Sequence, residues 1–179
     1  MVNKMISIFK PKKIKDFNPC GLNIYTFNAG FKKTDKDLLI IIFDQTINVC
    51  CVYSKTSTPS APIIWDKKNN KGKVKALVVN AGNANAHTGK DGLNIIDNYV
   101  NALTKKIKCK YNEVLVSSTG VIGEKFNPNL IINKFEKINS KNKNSLLESA
   151  KAIMTTDTFP KVSIKNINID NQSFKIYGI

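Results

Sequence analysis

Arginine is absent from this sequence. All 28 cationic residues are lysine, against 13 acidic ones, and the formal net charge is +15. Such a charge points first to nucleic acid, but the bidentate reader of bases and phosphates is missing. The lysines are also dispersed, and Lys, Asn and Ile together are what an AT-rich coding sequence favours. Composition therefore explains the charge better than a nucleic-acid partner, and a lysine-driven nucleic-acid binder is kept only as a rival. Histidine is nearly absent too. The single His87 excludes a multi-histidine metal site and would have to serve any Ser-His-Asp or Cys-His device alone. It sits in a polar loop and reads as a satisfied or exposed imidazole. The four cysteines (Cys20, Cys50, Cys51, Cys109) form no CxxC pair and no zinc spacing, so no metal or cofactor is expected. Cys50-Cys51, within INVCCVY, read as buried small hydrophobes. Cys109, between two lysines, has the setting for a lowered pKa but is given no role.

Long apolar runs are missing as well. The best candidate, Leu38 to Phe43, is only strand length, far below the roughly 18 residues a membrane span needs. The start, MVNKMISIFKPKKIKDF, is basic without an apolar core of signal-peptide length, and reads as a surface arm. No membrane partner is expected, and a reducing cytoplasm fits.

What is present is α/β material of one-domain length, 179 residues with 42% apolar. Residues 37–43 (DLLIIIF) and 48–53 (NVCCVY) read as neighbouring, mostly buried strands. KTSTPSAP (55–62) and DKKNNKGK (66–73) read as loops, and 74–79 (VKALVV) as a strand leading into a long polar loop, NAGNANAHTGKDG (80–92). From Leu93 the period becomes helical, with Leu93, Ile96, Val100, Leu103 and Ile107 at spacings of three and four. A strand at 113–117 runs into SSTG; Asn127-Pro128 starts a helix with the stripe Ile131, Ile132, Phe135 and Ile138. After a linker, SKNKN (140–144), Ser145 caps a helix running to Met154, which TTDTFP stops. Residues 162–169 and 173–179 flank Asp170-Asn171-Gln172 as a hairpin. No internal repeat is apparent.

Three stretches are candidates for chemistry, each with a bland alternative. Ser117-Ser118-Thr119-Gly120 ends a strand, and a glycine there can aim backbone N–H groups at a developing oxyanion. Equally, Thr119-Gly120 is a strand-to-helix turn in which glycine permits positive φ. Asn80, Asn83 and Asn85, spaced by Ala and Gly, can orient an amino-acid group or satisfy their own backbone. TTDTFPK (155–161) gathers hydroxyls and a carboxylate that suit either a polar substrate or a capping and turn box.

In combination these motifs resemble the bifunctional ornithine acetyltransferase (glutamate N-acetyltransferase) family of arginine biosynthesis. The matching pieces are AGFKKTDKDLLII (29–41), the Ala-Pro of TPSAPIIW (58–65), VVNAGNANAHTG (78–89), SSTGVIGEKF (117–126) and AIMTTDTFPK (152–161), in the family's order. The resemblance implies a layered sandwich of mixed β-sheet with flanking helices, with residues 1–179 forming the N-terminal (α-chain) portion. It implies a precursor that cuts itself at an Ala-Thr bond, so that the new N-terminal Thr of the β chain becomes the nucleophile. That Thr uses its own α-amine as base and carries acetyl from N-acetylornithine to glutamate. It further implies that Thr119 and Gly120 form the oxyanion hole, that Thr155 binds substrate, and that two α and two β chains assemble.

This sequence departs from the family pattern at His87, where Cys is frequent, and in VYSKTSTPSAP, where Phe-Thr-Thr-Asn usually precedes Ala-Pro. It also stops within an expected strand, before the family's Lys-Gly-Ser-Gly-Met stretch and the Ala-Thr bond. The expectation is a shortened α subunit, a truncated product or a fragment, without the substrate-binding Lys and the nucleophile. A non-catalytic interaction module is the remaining alternative.

Overall fold

The computed structural model describes residues 7–9, 11, 16–139, 141 and 143–179. The expected basic arm falls largely outside them, as do residues 140 and 142 of the expected linker. Four strands form one mixed sheet in the order β1 (Leu22–Phe27), β2 (Leu38–Asn48), β3 (Lys73–Asn83), β4 (Val114–Val121). β2 runs antiparallel to both β1 and β3, whereas β3 and β4 are parallel. A parallel pair needs a crossover, and here it contains the helix α2 (Gly89–Ile107).

The run LLIIIF is continuously apolar because both faces of β2 are covered. With side chains alternating along the strand, Leu38 and Ile40 enter one core and Leu39 and Ile41 the other. The first core takes Trp65 from α1 (Ala61–Asn69), Ile96, Tyr99, Val100 and Leu103 from α2, and Ile131 from α3 (Asn129–Ile132). The second takes Leu146 and Ala152 from α4 (Leu146–Ala152), with Phe17 and Tyr177 against it. The expected layered α/β arrangement, a mixed sheet with flanking helices, is therefore present. Ile96, Val100 and Leu103 of the expected stripe are buried, and Leu93 and Ile107 pack at its ends.

Several elements differ from their sequence reading. β2 continues through Asp44–Ile47 with a register shift, and residues 49–53 leave the sheet. The reason is the partner: β3 begins at Lys73, opposite Asn48, so no strand lies beside 49–53. Cys50 is consequently exposed, Cys51 half-buried and Val52 95% exposed, which overturns their reading as core. Helix α1 occupies stretches read as loops. Pro62 falls in its first turn, where the missing N–H costs nothing, and Ala61, Pro62, Trp65 and Asp66 form its buried face. Asn80–Asn83 belong to β3, so the polar loop shrinks to 84–88. The helix after Pro128 lasts one turn and is followed by a 3-10 turn (Phe135–Lys137), yet Ile131 and Phe135 stay buried.

Ser145 caps α4 as expected: its Oγ accepts the Glu148 N–H at 3.2 Å. The hairpin also forms, as β5 (Ser163–Ile169) and β6 (Gln172–Gly178). Its loop is only Asp170-Asn171, both with positive φ (48° and 62°), the type I′ geometry that matches strand twist. Each outer strand of the main sheet has one outward N–H met by a polar side chain. Asn144 accepts the Thr26 N–H through Oδ1 at 2.9 Å and donates its own N–H to Ile24 O at 2.8 Å. On the other side, Asp66 Oδ1 accepts the Val116 N–H at 3.1 Å.

Candidate functional site

Thr119-Gly120 is not a tight turn. Both residues lie within β4, paired with Ala81 and Gly82 of β3, and the chain bends only at 122–123. Gly120 has φ +133°, and a Cβ placed there would lie 2.3 Å from Gly82 C and 2.6 Å from Asn83 N. Gly82, at φ +121°, in turn has Phe31 Cβ 2.8 Å from where its own would be. Three backbone segments are thus stacked at van der Waals contact, which only glycine permits. Phe31 then meets Phe126 edge to face, ring centres 5.0 Å apart. Thr119 is half-buried, and Gly120 is exposed at the open end of the strand pair.

The three asparagines beside it are buried, and their hydrogen bonds are internal. Ser118 Oγ donates to Asn80 Oδ1 at 2.6 Å, and Asn80 Nδ2 donates to Asn83 O at 2.8 Å. Asn83 Oδ1 accepts the Asn85 N–H at 2.8 Å, while its Nδ2 donates to Glu124 O at 2.9 Å. Asn85 Nδ2 reaches Gly92 O at 3.1 Å, and Thr88 Oγ1 donates to Asn85 Oδ1 at 2.8 Å. Of the two readings of this stretch, self-satisfaction accounts for these bonds. Their effect is to tie 83–86 to 121–124, aided by Ala84 N–H to Val121 O and Gly123 N–H to Ala86 O. His87 is exposed at φ +56°, in keeping with a surface imidazole.

Thr155 lies elsewhere. It lines a cavity of about 510 Å³ with Lys32, Lys36, Glu148 and Lys151. The hydrogen bond from Lys151 holds the Glu148 carboxyl below the usual carboxylate range, and Lys36 adds to this. Thr119 and Gly120 do not line that cavity. A physical link does connect the two places: the loop 28–36 lays Phe31 on Gly82, while Lys32 Nζ donates to Met154 O. That loop is organised by Asp37, fully buried, whose carboxylate accepts N–H groups from Ala29 (2.6 Å), Gly30 (3.2 Å) and Lys32 (2.8 Å).

Asp37 and Asp66 were not singled out in the sequence. Asp66 lies 6% exposed on α1 and lines a cavity of about 390 Å³ with Tyr53, Ser60, Ser117 and Ser118. Burial pushes its carboxyl from 3.8 up to about 7, against the pull of the Val116 N–H. Its spacing from Ala61, Pro62 and Trp65 is the signal that marks it as inward-facing. Cys109 is corrected in the opposite sense from its lysine neighbours: burial raises the thiol to about 11. Among the described residues, no cluster of three or more His, Cys, Asp or Glu is placed to hold a metal ion. Among the same residues, no helix is long and apolar enough to cross a membrane.

The sheet carrying these residues has known counterparts. The model of the ArgJ family matches residues 23–179. The chain belongs to the ArgJ family. Among curated ArgJ relatives, the arginine biosynthesis bifunctional protein ArgJ of Bartonella henselae is 38% identical over 178 residues, 97% of this chain and 43% of that protein. The protein of the same description from Mesorhizobium japonicum is 40% identical, with the same shares covered. The chain therefore spans less than half the length of these relatives. The crystal structure of the arginine biosynthesis bifunctional protein ArgJ from Bacillus halodurans is 27% identical with a TM-score of 0.81, covering 89% of this chain and 85% of that one. The ornithine acetyltransferase of Mycobacterium tuberculosis, solved with ornithine, shares the fold at 22% identity and a TM-score of 0.71, with 89% and 88% covered.

Proposed function

We propose that this chain is the α-chain portion of an acetyltransferase of arginine biosynthesis, one that moves acetyl from N-acetylornithine to glutamate. The observation that carries the reading is the open end of β4 in an ArgJ-family chain. There Thr119 stands beside a glycine that the backbone of β3 keeps free of any side chain. Since the Val116 N–H points to Asp66, away from β3, the two-residue alternation of a strand turns the N–H groups of Ser118 and Gly120 the same way. The Gly120 N–H and the Thr119 hydroxyl face, in this reading, an oxygen that becomes negative during acyl transfer. In this reading Thr155 contacts the amino-acid part of the substrate.

The nucleophile belongs to a second chain, a β chain beginning with Thr. Its Oγ attacks the acetyl carbonyl, its α-amine takes the hydroxyl proton, and the C–N bond to ornithine breaks as the ornithine nitrogen is protonated. The amine of glutamate then attacks the acetyl ester, forming N-acetylglutamate and restoring the threonine hydroxyl. Support for two chains comes from lengths. The match over 97% of this chain takes 43% of the Bartonella relative, whereas the match over 89% of it takes 85% of the solved Bacillus chain. An assembly of two α and two β chains in the cytoplasm completes the reading.

The test is acetyl transfer from N-acetylornithine to glutamate by this chain co-expressed with a Thr-initiated downstream chain. Thr119→Val, which keeps the shape and removes the hydroxyl, should lower kcat by about 100-fold or more. A loss under tenfold in a folded complex would remove Thr119 from the oxyanion hole. Full activity from the 179 residues alone would refute the divided site.

A further inference from the structure

The hairpin β5–β6 meets the body of the molecule through Tyr177 and carries most of its apolar side chains on the opposite face. Its register pairs Ile164 with Tyr177, Lys165 with Ile176, Ile167 with Phe174 and Ile169 with Gln172. Alternation along each strand puts Ile164 and Tyr177 on one face and Ile167, Ile169, Phe174 and Ile176 on the other. The first face touches the body through Tyr177, whose ring lies 4.9 Å from that of Phe17 against the core that holds Leu146, while Asn166, Asn168, Ser173 and Lys175 beside it are exposed. The second is open, with Ile169 52% exposed, Phe174 45% and Ile176 51%. Single exposed apolar residues need no explanation, and Val52 at 95% is one of them. Three on one face of two paired strands, with the half-buried Ile167 among them, one cation (Lys165) and no acid, form a contiguous patch. A two-stranded ribbon is also marginal in water without a covering layer.

The lengths of the relatives supply a candidate for what covers it. The chain matches the N-terminal portion of its curated relatives and leaves more than half of their length beyond the match. In those relatives the residues that follow the matched stretch depart from the end of β6, which here closes at Gly178. The portion that follows therefore begins beside the bare face. We propose that the exposed face of β5–β6, formed by Ile167, Ile169, Phe174 and Ile176, is the docking surface for the downstream portion of the ArgJ-family protein. The proposal rests on the two-chain reading above and gives that partner a place on this chain. The partner surface is an apolar strip, with an acidic group opposite Lys165.

The experiment co-expresses this chain with the downstream portion of the Mesorhizobium japonicum relative and measures capture, sedimentation and acetyl transfer separately. The expected result is capture by the unaltered chain, weakened about tenfold or more by Phe174→Lys and by Ile176→Lys, and left intact by Val52→Lys. Amide exchange across 163–178 in the unaltered chain should slow on complex formation, a readout independent of how the variants fold. Capture unaffected by both hairpin variants, absent capture, or unchanged exchange would overturn the docking surface. So would sedimentation showing that the face joins two copies of this chain instead. A complex that docks through the hairpin but transfers no acetyl would refute the proposed activity and leave the surface standing.

Discussion

The four-stranded sheet and the two-stranded hairpin both draw on isoleucine, in β2 and in β5–β6, yet they stand in opposite conditions. Both faces of β2 are buried, with Leu38, Leu39 and Ile40 at 0–1% exposure, whereas Phe174 and Ile176 of β6 are 45% and 51% exposed. The sheet finds its cover within this chain, from α1, α2 and α3 on one face and α4 on the other. The hairpin finds cover at Tyr177 and little elsewhere. The difference teaches where the self-sufficiency of this chain ends. The elements that position Thr119 and Gly120 are internally supported, although Val121 and Ile122 beside them are 49% and 63% exposed, whereas the hairpin leaves most of its apolar side chains outside any core.

Substitutions should separate the two regions, beginning with the largest effect. Gly120→Ala forces a Cβ against the carbonyl of Gly82 at a φ hostile to L residues, and neither backbone can yield cheaply. The expected loss is about 4 kcal/mol in denaturant unfolding, from strain and overpacking together. Wild-type stability in this variant would break the stacked-backbone account. Next, Leu38→Ala removes a fully buried side chain and should cost about 3 kcal/mol by the same measurement.

Asp66 gives a smaller, pH-dependent effect. Its carboxyl is raised from 3.8 to about 7, so the folded chain keeps a proton that the unfolded chain releases in that window. The associated stability is fully present below the lower value and is lost as pH rises through the upper one. The slope should be at most about 1.4 kcal/mol per pH unit between roughly pH 4 and 7, flattening above. Asp66→Asn should abolish that slope; an unchanged pH profile of unfolding would locate the titration elsewhere. The smallest effect belongs to the hairpin. Phe174→Ser in the isolated chain should shift stability by no more than about 0.5 kcal/mol. A cost near that of Leu38→Ala would erase the contrast between the regions.

Much of the sheet was legible because two-sided burial writes itself as a continuous apolar run, as in LLIIIF. The stripe of α2 was legible for the same reason at helical spacing. β1 was not, because LNIYTF mixes polar and apolar residues at a sheet edge. α1 was hidden by Ser60 and Pro62, which mark loops and helix starts alike, and only its buried Trp65 decides between them. The motif around Gly120 was legible as a glycine with a purpose, but its turn reading failed. The agent that demands glycine is the backbone of Gly82, 38 positions earlier in sequence. Asp37 and Asp66 illustrate the harder limit. A carboxylate that organises buried N–H groups is written with the same letter as one in water, and both stand among lysines (TDKD, WDKK).

The polar groups set against the middle of each border of the main sheet carry a consequence for how this chain meets others. A bare border offers backbone donors and acceptors that any extended peptide can satisfy, which invites indiscriminate polymerisation. Asn144 occupies that place beside Ile24 and Thr26, and Asp66 occupies it at Val116. Recognition is thereby shifted from main chain to side chain, from a grammar every polypeptide shares to one that a particular partner must spell. If the chemistry is divided between chains as proposed, that shift favours fidelity in assembly over ease of assembly.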